Sequence, residues 1–204
     1  MGLDMYLFKA KRIKDMTIDE VLATSDYIKA NELGYEKFED FSNKNYSNVR
    51  FDKLDEVREF YDEMIYGDEV AYWRKANQIH NWFVNNVQNK NDDCGTYIVS
   101  EQKLTDLLNT CKLVSMSCNL IKGEVERGQE LKDGKFVPIL SDGMVIEDKT
   151  VAENLLPTQD GFFFGSTQYD EWYLEAIQNT INQIEQILDT TDFDTECILY
   201  YASW

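Results

Sequence analysis

The stretch ECILYYASW, residues 196–204, predicts a β-strand, and the interpretation of the whole fold starts from it. Its aromatic and β-branched side chains are typical of strands. A second stretch of this kind, DMYLFKA, occupies residues 4–10. Since both are short and apolar, we expect these N- and C-terminal strands to pair in one small sheet.

Helical patterns fill much of the chain between the two strands. Thr17 and Glu20 form a capping box, which predicts a helix from there to about Leu33. An aromatic, polar and aperiodic segment at 34–49 indicates a loop. Thr167 is the expected N-cap of the last helix, whose apolar residues recur at 3,4 spacing. This last helix is predicted over residues 169–189. The other helices are predicted over residues 52–65, 69–88 and 100–122, with a short one at 150–156.

Two Asp-Gly pairs, at 133–134 and 142–143, favour tight turns and predict a three-strand meander. Helices and strands mix without regular βαβ alternation, which indicates an α+β fold. We therefore predict one domain over residues 1–204, with an inserted β-meander at 124–148. Its small mixed or antiparallel sheet, formed by the terminal strands and the meander, would pack against four or five helices.

The charge of the chain excludes one large class of function. Its 204 residues have a formal net charge of −18, which repels phosphate backbones and argues against direct nucleic-acid binding. The last 55 residues contain ten carboxylates and no Lys or Arg, whereas residues 70–123 have a slight basic excess. An acidic face of this kind either keeps the protein soluble or binds the basic surface of a partner.

Other classes of function lack their sequence signatures. No signal peptide and no apolar run of about 18 residues is present, so we expect a cytosolic protein without membrane contact. The four cysteines form no CxxC pair, and His80 is the one histidine, which argues against a zinc site. No nucleotide-binding, hydrolase or EF-hand motif occurs. We therefore assign no catalytic residue, no metal and no cofactor.

The predicted helix 69–88, EVAYWRKANQIHNWFVNNVQ, carries the first group of candidate ligand-binding residues. At helical spacing, Trp73 and His80 share one face, while Arg74 and Asn77 lie on an adjacent strip. Arginine and asparagine together can bind a carboxylate, a phosphate or a base edge. The alternative is that the histidine and the aromatic residues are core residues.

The segment PTQDGFFFGSTQYDEWY, residues 157–173, supplies Gln159, Phe162 and Ser166 as further candidates. Backbone N–H groups at the following helix could hold an anion. Asp170 and Glu171 already occupy that position, so capping is the preferred interpretation. The Phe triplet would alternate faces in a strand, which requires either a buried strand or an exposed aromatic contact surface, and we favour burial.

The opening MGLDMY, the block YWRKANQIHNWF and the block PTQDGFFFGSTQYDE together resemble a family of small phage and prophage proteins of unassigned function. The resemblance covers about half of the chain, and it implies no activity. It does not extend to the acidic region at 17–66 or to the two Asp-Gly turns. A phage origin would favour a role in host takeover or counter-defence.

Two functional hypotheses follow. In the first, the chain is a non-enzymatic interaction protein that inhibits a host nuclease or defence enzyme by presenting an acidic or aromatic surface to its basic surface. In the second, it binds a small anionic or nucleotide ligand, as a sponge or a weak enzyme, in a pocket between the 69–88 helix and residues 158–170. The first hypothesis expects Arg74 to be held in salt bridges, and the second expects Arg74, His80 and Gln159 to converge on a cleft.

Overall fold

The computed structural model describes residues 2–32, 46–65, 68–132, 134–161 and 163–204. These residues form an α+β fold, as predicted, with two antiparallel sheets. The strands are β1 (Asp4–Lys11), β2 (Asp68–Arg74), β3 (Thr96–Val99), β4 (Leu120–Lys132), β5 (Lys135–Ile146) and β6 (Glu196–Ser203). The helices are α1 (Ile18–Glu32), α2 (Leu54–Ile65), α3 (Asn77–Asn86), α4 (Glu101–Ser117), α5 (Thr150–Leu155) and α6 (Glu171–Thr190).

The predicted pairing of the terminal strands is confirmed. β1 and β6 are antiparallel neighbours at the centre of a four-stranded sheet with the order β2-β1-β6-β3. On the face that carries Met5 and Tyr200, the sheet packs against the helices that follow β2, and both side chains are fully buried there. On the other face, α1 and α2 cover a smaller cluster around Leu199 and Phe60. The sheet is therefore the middle layer of three.

The predicted three-strand meander is instead a two-stranded hairpin, β4 and β5, which forms a sheet of its own. Lys132 pairs with Lys135, and Gly134 between them has a φ of 76°, so the chain turns at Gly134 as predicted. The second pair makes no turn, because Gly143 lies within β5 opposite Gly123. A Cβ atom at Gly143 would lie 2.5 Å from a methyl group of Val125. Glycine is needed there for close packing, and the inserted-meander boundaries stay a prediction.

The predicted helix over 69–88 is wrong in its first part. Residues Asp68–Arg74 form an edge strand that pairs with β1, and the helix begins at Asn77. Ala71 and Trp73 are buried while Tyr72 is 40% exposed, which is the alternation of a strand. Pairing with β1 outweighs the local helical preference of this segment, because it satisfies backbone groups and buries one side of the strand.

Several helix boundaries also differ from their predictions. The Thr17–Glu20 capping box is confirmed by reciprocal hydrogen bonds of 2.7 and 3.3 Å. The α6 helix is capped by Asp170, which accepts the Trp172 and Tyr173 N–H groups, and not by Thr167. Helix α4 ends at Ser117, five residues before the predicted end, because residues 120–122 pair in β4. The predicted 34–49 loop lies outside the described residues up to residue 45, and Tyr46–Asn48 form a turn of 3-10 helix.

Among the described residues, no helix combines the length and the apolar character that crossing a bilayer requires. The same part of the chain contains no group of three or more His, Cys, Asp or Glu side chains that could hold a metal ion.

Candidate functional site

The junction between β2 and α3 places two cations side by side on the surface. Arg74 ends the strand, and Lys75 has a φ of 57°, which turns the chain from the strand into the helix. The Lys75 N–H donates to the carbonyl of Leu3 at 2.8 Å. Gly165, with a φ of 93°, packs so closely on Lys75 that a Cβ atom there would lie 2.9 Å from the lysine Cβ. These contacts fix the backbone from which both cationic side chains project.

Asn77 joins α3 to the segment that contains Gln159 and Ser166. Its side-chain NH₂ group donates to the carbonyls of Phe164 and Ser166, at 3.1 and 2.8 Å, and its Oδ1 accepts the Gln159 N–H at 3.0 Å. The side chain is 1% exposed. Asn77 therefore uses its donors and its acceptor within the protein, and it acts as a structural clamp for residues 159–166.

A cleft of about 550 Å³ opens beside this junction, and we call it the Arg74 cleft. Arg74–Ala76 and Gln78 form one wall, Gly165, Ser166, Gln168 and Asp170 a second, the first half of α6 a third, and Glu126 and Arg127 of the hairpin a fourth. Arg74 and Lys75 are both exposed, and neither forms an ion pair with any of the described residues. The cleft therefore has two cations without an ion-pair partner among the described residues, and Glu126, Asp170 and Glu175 also line it.

A third cation reaches the cleft from the β4–β5 hairpin. The register shifts between Glu126 and Gly128, and this β-bulge leaves Arg127 without an opposite residue. Arg127 donates to Glu171 Oε1 at 2.6 Å and lies 5.6 Å from the ring centre of Trp172. The hydrogen bond from Arg127 and its charge, together with the Met144 N–H that donates to Oε2, lower the pKa of Glu171. The ion pair attaches the base of the hairpin to α6.

A second cleft, of about 430 Å³, continues from the first along α6, and we call it the amide cleft. It shares Arg74, Ala76, Ala176 and Asn179 with the Arg74 cleft, so the Arg74 side chain lies at their junction. Its remaining wall includes Asn182 and Gln183, and the Gln183 Oε1 accepts the Tyr72 N–H at 2.8 Å. A side-chain amide thus covers part of the open edge of β2.

His80 lies in the core and does not reach either cleft. Its ring is 0% exposed, with Nδ1 at 2.7 Å from the Tyr200 hydroxyl and Nε2 at 3.0 Å from Asp92 Oδ1. The rings of Phe164 and Trp204 pack on it, each with its centre at 5.3 Å. Removal from water lowers the pKa of His80, although the Asp92 carboxylate opposes that effect. His80 is therefore a hydrogen-bonded core histidine, which was the alternative interpretation from the sequence.

The structure brings only part of the predicted set together. Arg74 and Ser166 line the Arg74 cleft, and Trp73 borders the amide cleft while its indole N–H donates to Thr180 Oγ1 at 2.9 Å. Asn77, His80 and Gln159 are not among the residues that line either cleft. Gln159 Oε1 is buried without a hydrogen-bond partner among the described residues, and Phe162 lies outside them. The predicted convergence of Arg74, His80 and Gln159 is therefore not found.

The Phe triplet also differs from its strand interpretation. Phe163 and Phe164 lie in a turn between Gly161 and Gly165, and the Phe164 N–H donates to the Gly161 carbonyl at 3.1 Å. Phe164 is 5% exposed, which agrees with the burial that we favoured from the sequence. The turn, and not a strand, delivers this ring to the core.

Most residues that line the Arg74 cleft were missed from the sequence, among them Lys75, Arg127 and Trp172. Lys75 directly follows the candidate Arg74 in the sequence. The predicted helical spacing selected residues three and four positions apart, so it did not include Lys75. Nothing in the sequence links Arg127 to Arg74, because a bulge in a distant hairpin brings Arg127 to the same cleft. Trp172 carried a signal, since it follows the cap of a predicted helix whose apolar stripe it does not join.

Comparisons with protein-family models, with curated proteins and with solved structures gave no match to this chain. The resemblance to a phage and prophage family therefore stays a prediction. The evidence for a function is therefore the chemistry of the two clefts.

Substituting Asn77 by Ala is expected to lower the free energy of unfolding by about 2 kcal/mol, because three buried hydrogen bonds lose their side-chain partner. The 159–166 segment should loosen with it, so protection from hydrogen exchange there should fall more than in β1 or β6. Urea denaturation and hydrogen exchange measure both effects. The exposed Asn182→Ala variant is the matched control, and equal effects of the two substitutions would contradict the clamp.

The single histidine permits a direct test of its environment. In the folded protein the His80 pKa should lie below the ordinary value of 6.5, so the neutral ring is favoured. The unfolded chain then binds more protons at acid pH, and His80 contributes stability that is full above pH 6.5 and is lost as the pH falls through the folded-state pKa. Proton NMR of the ring measures the pKa, and a value above 6.5 would show that Asp92 dominates.

Proposed function

We propose that this chain is a binding protein whose working site is the Arg74 cleft, and that its ligand is a small anion of the nucleotide type. The observation that carries the proposal is the pair Arg74 and Lys75, which lies exposed on one wall of a cleft without a described ion-pair partner. Two adjacent cations repel each other, so their placement favours a site that an anionic group completes.

The negative net charge of the chain makes the exposed pair Arg74 and Lys75 stronger support for an anion site. With a net charge of −18, most of the surface repels anions, and a local cationic group is needed to bind one. The guanidinium of Arg74 can contact two phosphate oxygens at once, and the Lys75 ammonium adds a second charge. Asp170 forms no ion pair with either cation, and its Oδ1 instead accepts the Trp172 and Tyr173 N–H groups at the start of α6.

The other walls of the cleft indicate what else the ligand carries. Glu175 is exposed on α6, and it can accept a hydrogen bond from a hydroxyl group of a sugar. Gln168 and Asn179 supply amides that both donate and accept. A ligand with one phosphate and several hydroxyl or amide groups suits this lining better than a bare inorganic anion. Because His80 is enclosed away from the cleft, the proposal is binding without catalysis.

Calorimetric titration with adenosine and guanosine 5′-monophosphates tests the proposal. The Arg74→Gln and Lys75→Gln variants should each weaken binding by about tenfold, which corresponds to the loss of one charge-assisted contact. Lys14→Gln is the matched control, since this exposed lysine carries the same charge at a distance from the cleft. Unchanged affinity in both cleft variants, or no binding of any nucleotide, would reject the proposal.

A second candidate function is the acidic interaction surface, and one observation favours it. Asp68 lies opposite Lys9 in the sheet, and Glu196 lies opposite Lys11 and pairs with Lys9 at 3.7 Å, so the two acidic segments of the chain flank the end of β1 on its two sides. Asp192 and Asp194 are exposed next to them. We propose that the surface around these four carboxylates contacts the basic surface of a protein partner. The resemblance to phage proteins suggests a host nuclease or defence enzyme as that partner.

The acidic surface is tested by affinity capture from a host lysate at 50 mM and 500 mM salt. A partner held by these carboxylates should be lost at high salt, because screening weakens exposed charge contacts. The Asp68→Asn/Asp194→Asn variant should capture less of it, whereas the Glu101→Gln/Glu147→Gln control should capture as much as the natural chain. Retention at 500 mM salt, or equal loss in the two variants, would count against this surface.

A further inference from the structure

The Arg74 cleft and the amide cleft form one continuous groove along α6. Four residues border both clefts, and Arg74 is the cation among them. The groove passes from Trp172 to Gln183, and eleven residues of α-helix correspond to about 16 Å. An anionic group bound by Arg74 would therefore lie in the middle of the groove, with space on both sides of it.

The far wall of the Arg74 cleft provides an aromatic ring. Trp172 is 58% exposed although it is large and apolar, and Arg127 lies over its ring. An exposed indole is a surface on which a nucleobase can stack, and stacking of this kind tolerates all four bases. The ring and the two cations border the same cleft, so one nucleotide can contact both.

The amide cleft has a different lining on the other side of Arg74. Asn179 and Asn182 are exposed on α6, and each amide offers both a donor and an acceptor. Gln183 keeps its NH₂ group as a donor while its oxygen accepts the Tyr72 N–H. Such amides can recognise the edge of a base or the hydroxyl groups of a sugar, and this cleft contains no cation besides Arg74.

We infer that the groove takes a dinucleotide, in which two nucleosides are joined through phosphate. This inference rests on the proposed function and extends it. The linking phosphate binds Arg74 and Lys75, one base stacks on Trp172, and the second nucleoside occupies the amide cleft. A mononucleotide carries its phosphate at one end, so it would fill the Arg74 cleft and leave the amide cleft empty. The chemistry is shared by linear and cyclic dinucleotides.

The inference is tested by titrating the protein with the four homodinucleotides pApA, pGpG, pCpC and pUpU, with cyclic di-AMP and cyclic di-GMP, and with the matching mononucleotides. At least one dinucleotide should bind about tenfold or more tightly than its mononucleotide, as expected from a second set of base contacts. Comparison of the linear and cyclic probes identifies which linkage fits. A 20-nucleotide single strand is titrated as well, to test whether a longer nucleic acid binds more tightly than a dinucleotide.

Two variants separate the ends of the groove. Trp172→Ala should weaken mononucleotides and dinucleotides alike by about tenfold, since both use the ring. Asn182→Ala should weaken dinucleotides by about fivefold and leave mononucleotides unchanged. Phe51→Ala, which removes a ring that is 57% exposed elsewhere, is the control and should change neither.

Mononucleotide binding that depends on Arg74, with no dinucleotide bound more tightly, would overturn the inference while the proposed function stands. Binding of the 20-nucleotide strand more tightly than of every dinucleotide would also overturn it, because the ligand would then be a nucleic-acid strand. Absence of binding by every probe would reject both proposals.

Discussion

The His80→Ala variant is expected to lose about 4 kcal/mol of unfolding free energy, because it combines a buried cavity with two broken hydrogen bonds. The imidazole is fully buried between the Tyr200 hydroxyl and the Asp92 carboxylate, with Phe164 and Trp204 against its faces. Its removal leaves the Tyr200 hydroxyl without its partner inside the core. A loss of this size is a large part of the stability of an ordinary domain.

A double-mutant cycle with Tyr200→Phe isolates the hydrogen bond from the packing. The phenylalanine keeps the ring that stacks on Phe83 at 4.0 Å and removes only the hydroxyl. Either single substitution leaves the other residue without its hydrogen-bond partner. The double variant should therefore lose about 1 kcal/mol less unfolding free energy than the sum of the two single variants. Urea denaturation gives the three values. A destabilisation by His80→Ala below 1 kcal/mol would show that the residue is not part of the core network.

The Trp73→Ala variant is expected to lose about 4 kcal/mol as well, since a large buried ring is replaced by a methyl group. Trp73 is 4% exposed, packs beside Phe83 and donates from its indole to Thr180 Oγ1 at 2.9 Å. It joins β2 to α6, so its loss should weaken the wall that both clefts share. Denaturant midpoints with constant m-values measure the change as stability.

Trp172→Ala is the matched control for this prediction. The same substitution is made on a ring that is 58% exposed, and surface changes of this kind stay within about 0.5 kcal/mol. The pair therefore distinguishes a tryptophan that holds the fold from one that is available to a ligand. Similar destabilisation of the two variants would contradict the roles assigned to both rings.

The elements with strong local signals were the ones that could be predicted. The terminal strands, the capping box at Thr17 and the turn at Gly134 each depend on chemistry within a few residues. The predicted helix over 69–88 failed at its first six residues because β1 supplies a pairing edge that no local pattern reveals. The second Asp-Gly pair failed for a related reason, since Gly143 lies opposite Gly123 within the hairpin and the diagonal neighbour Val125 leaves no room for a Cβ atom there.

Prediction of the candidate site followed the same division. Arg74 and Ser166, two of the candidate residues, line the Arg74 cleft, because a polar residue beside a turn is exposed in most arrangements, and their binding of a ligand stays a prediction. His80 and Trp73 were ambiguous from the sequence, since an aromatic or imidazole ring serves a core and a pocket equally well. Burial, which is a property of the whole fold, resolved both.

The α+β class, the presence of the two terminal strands and the excess of negative charge follow from composition and short-range patterns, so the amino-acid sequence alone indicates them. The pairing of these strands was expected, and the structure confirms it. The tertiary structure alone decided that Arg74, Lys75, Arg127 and Trp172 border one cleft, and that His80 lies behind it in the core. The physical reason is distance along the chain. Residues 74, 127 and 172 meet only after a strand edge, a bulge and a helix start have been packed together, and no local interaction specifies that packing.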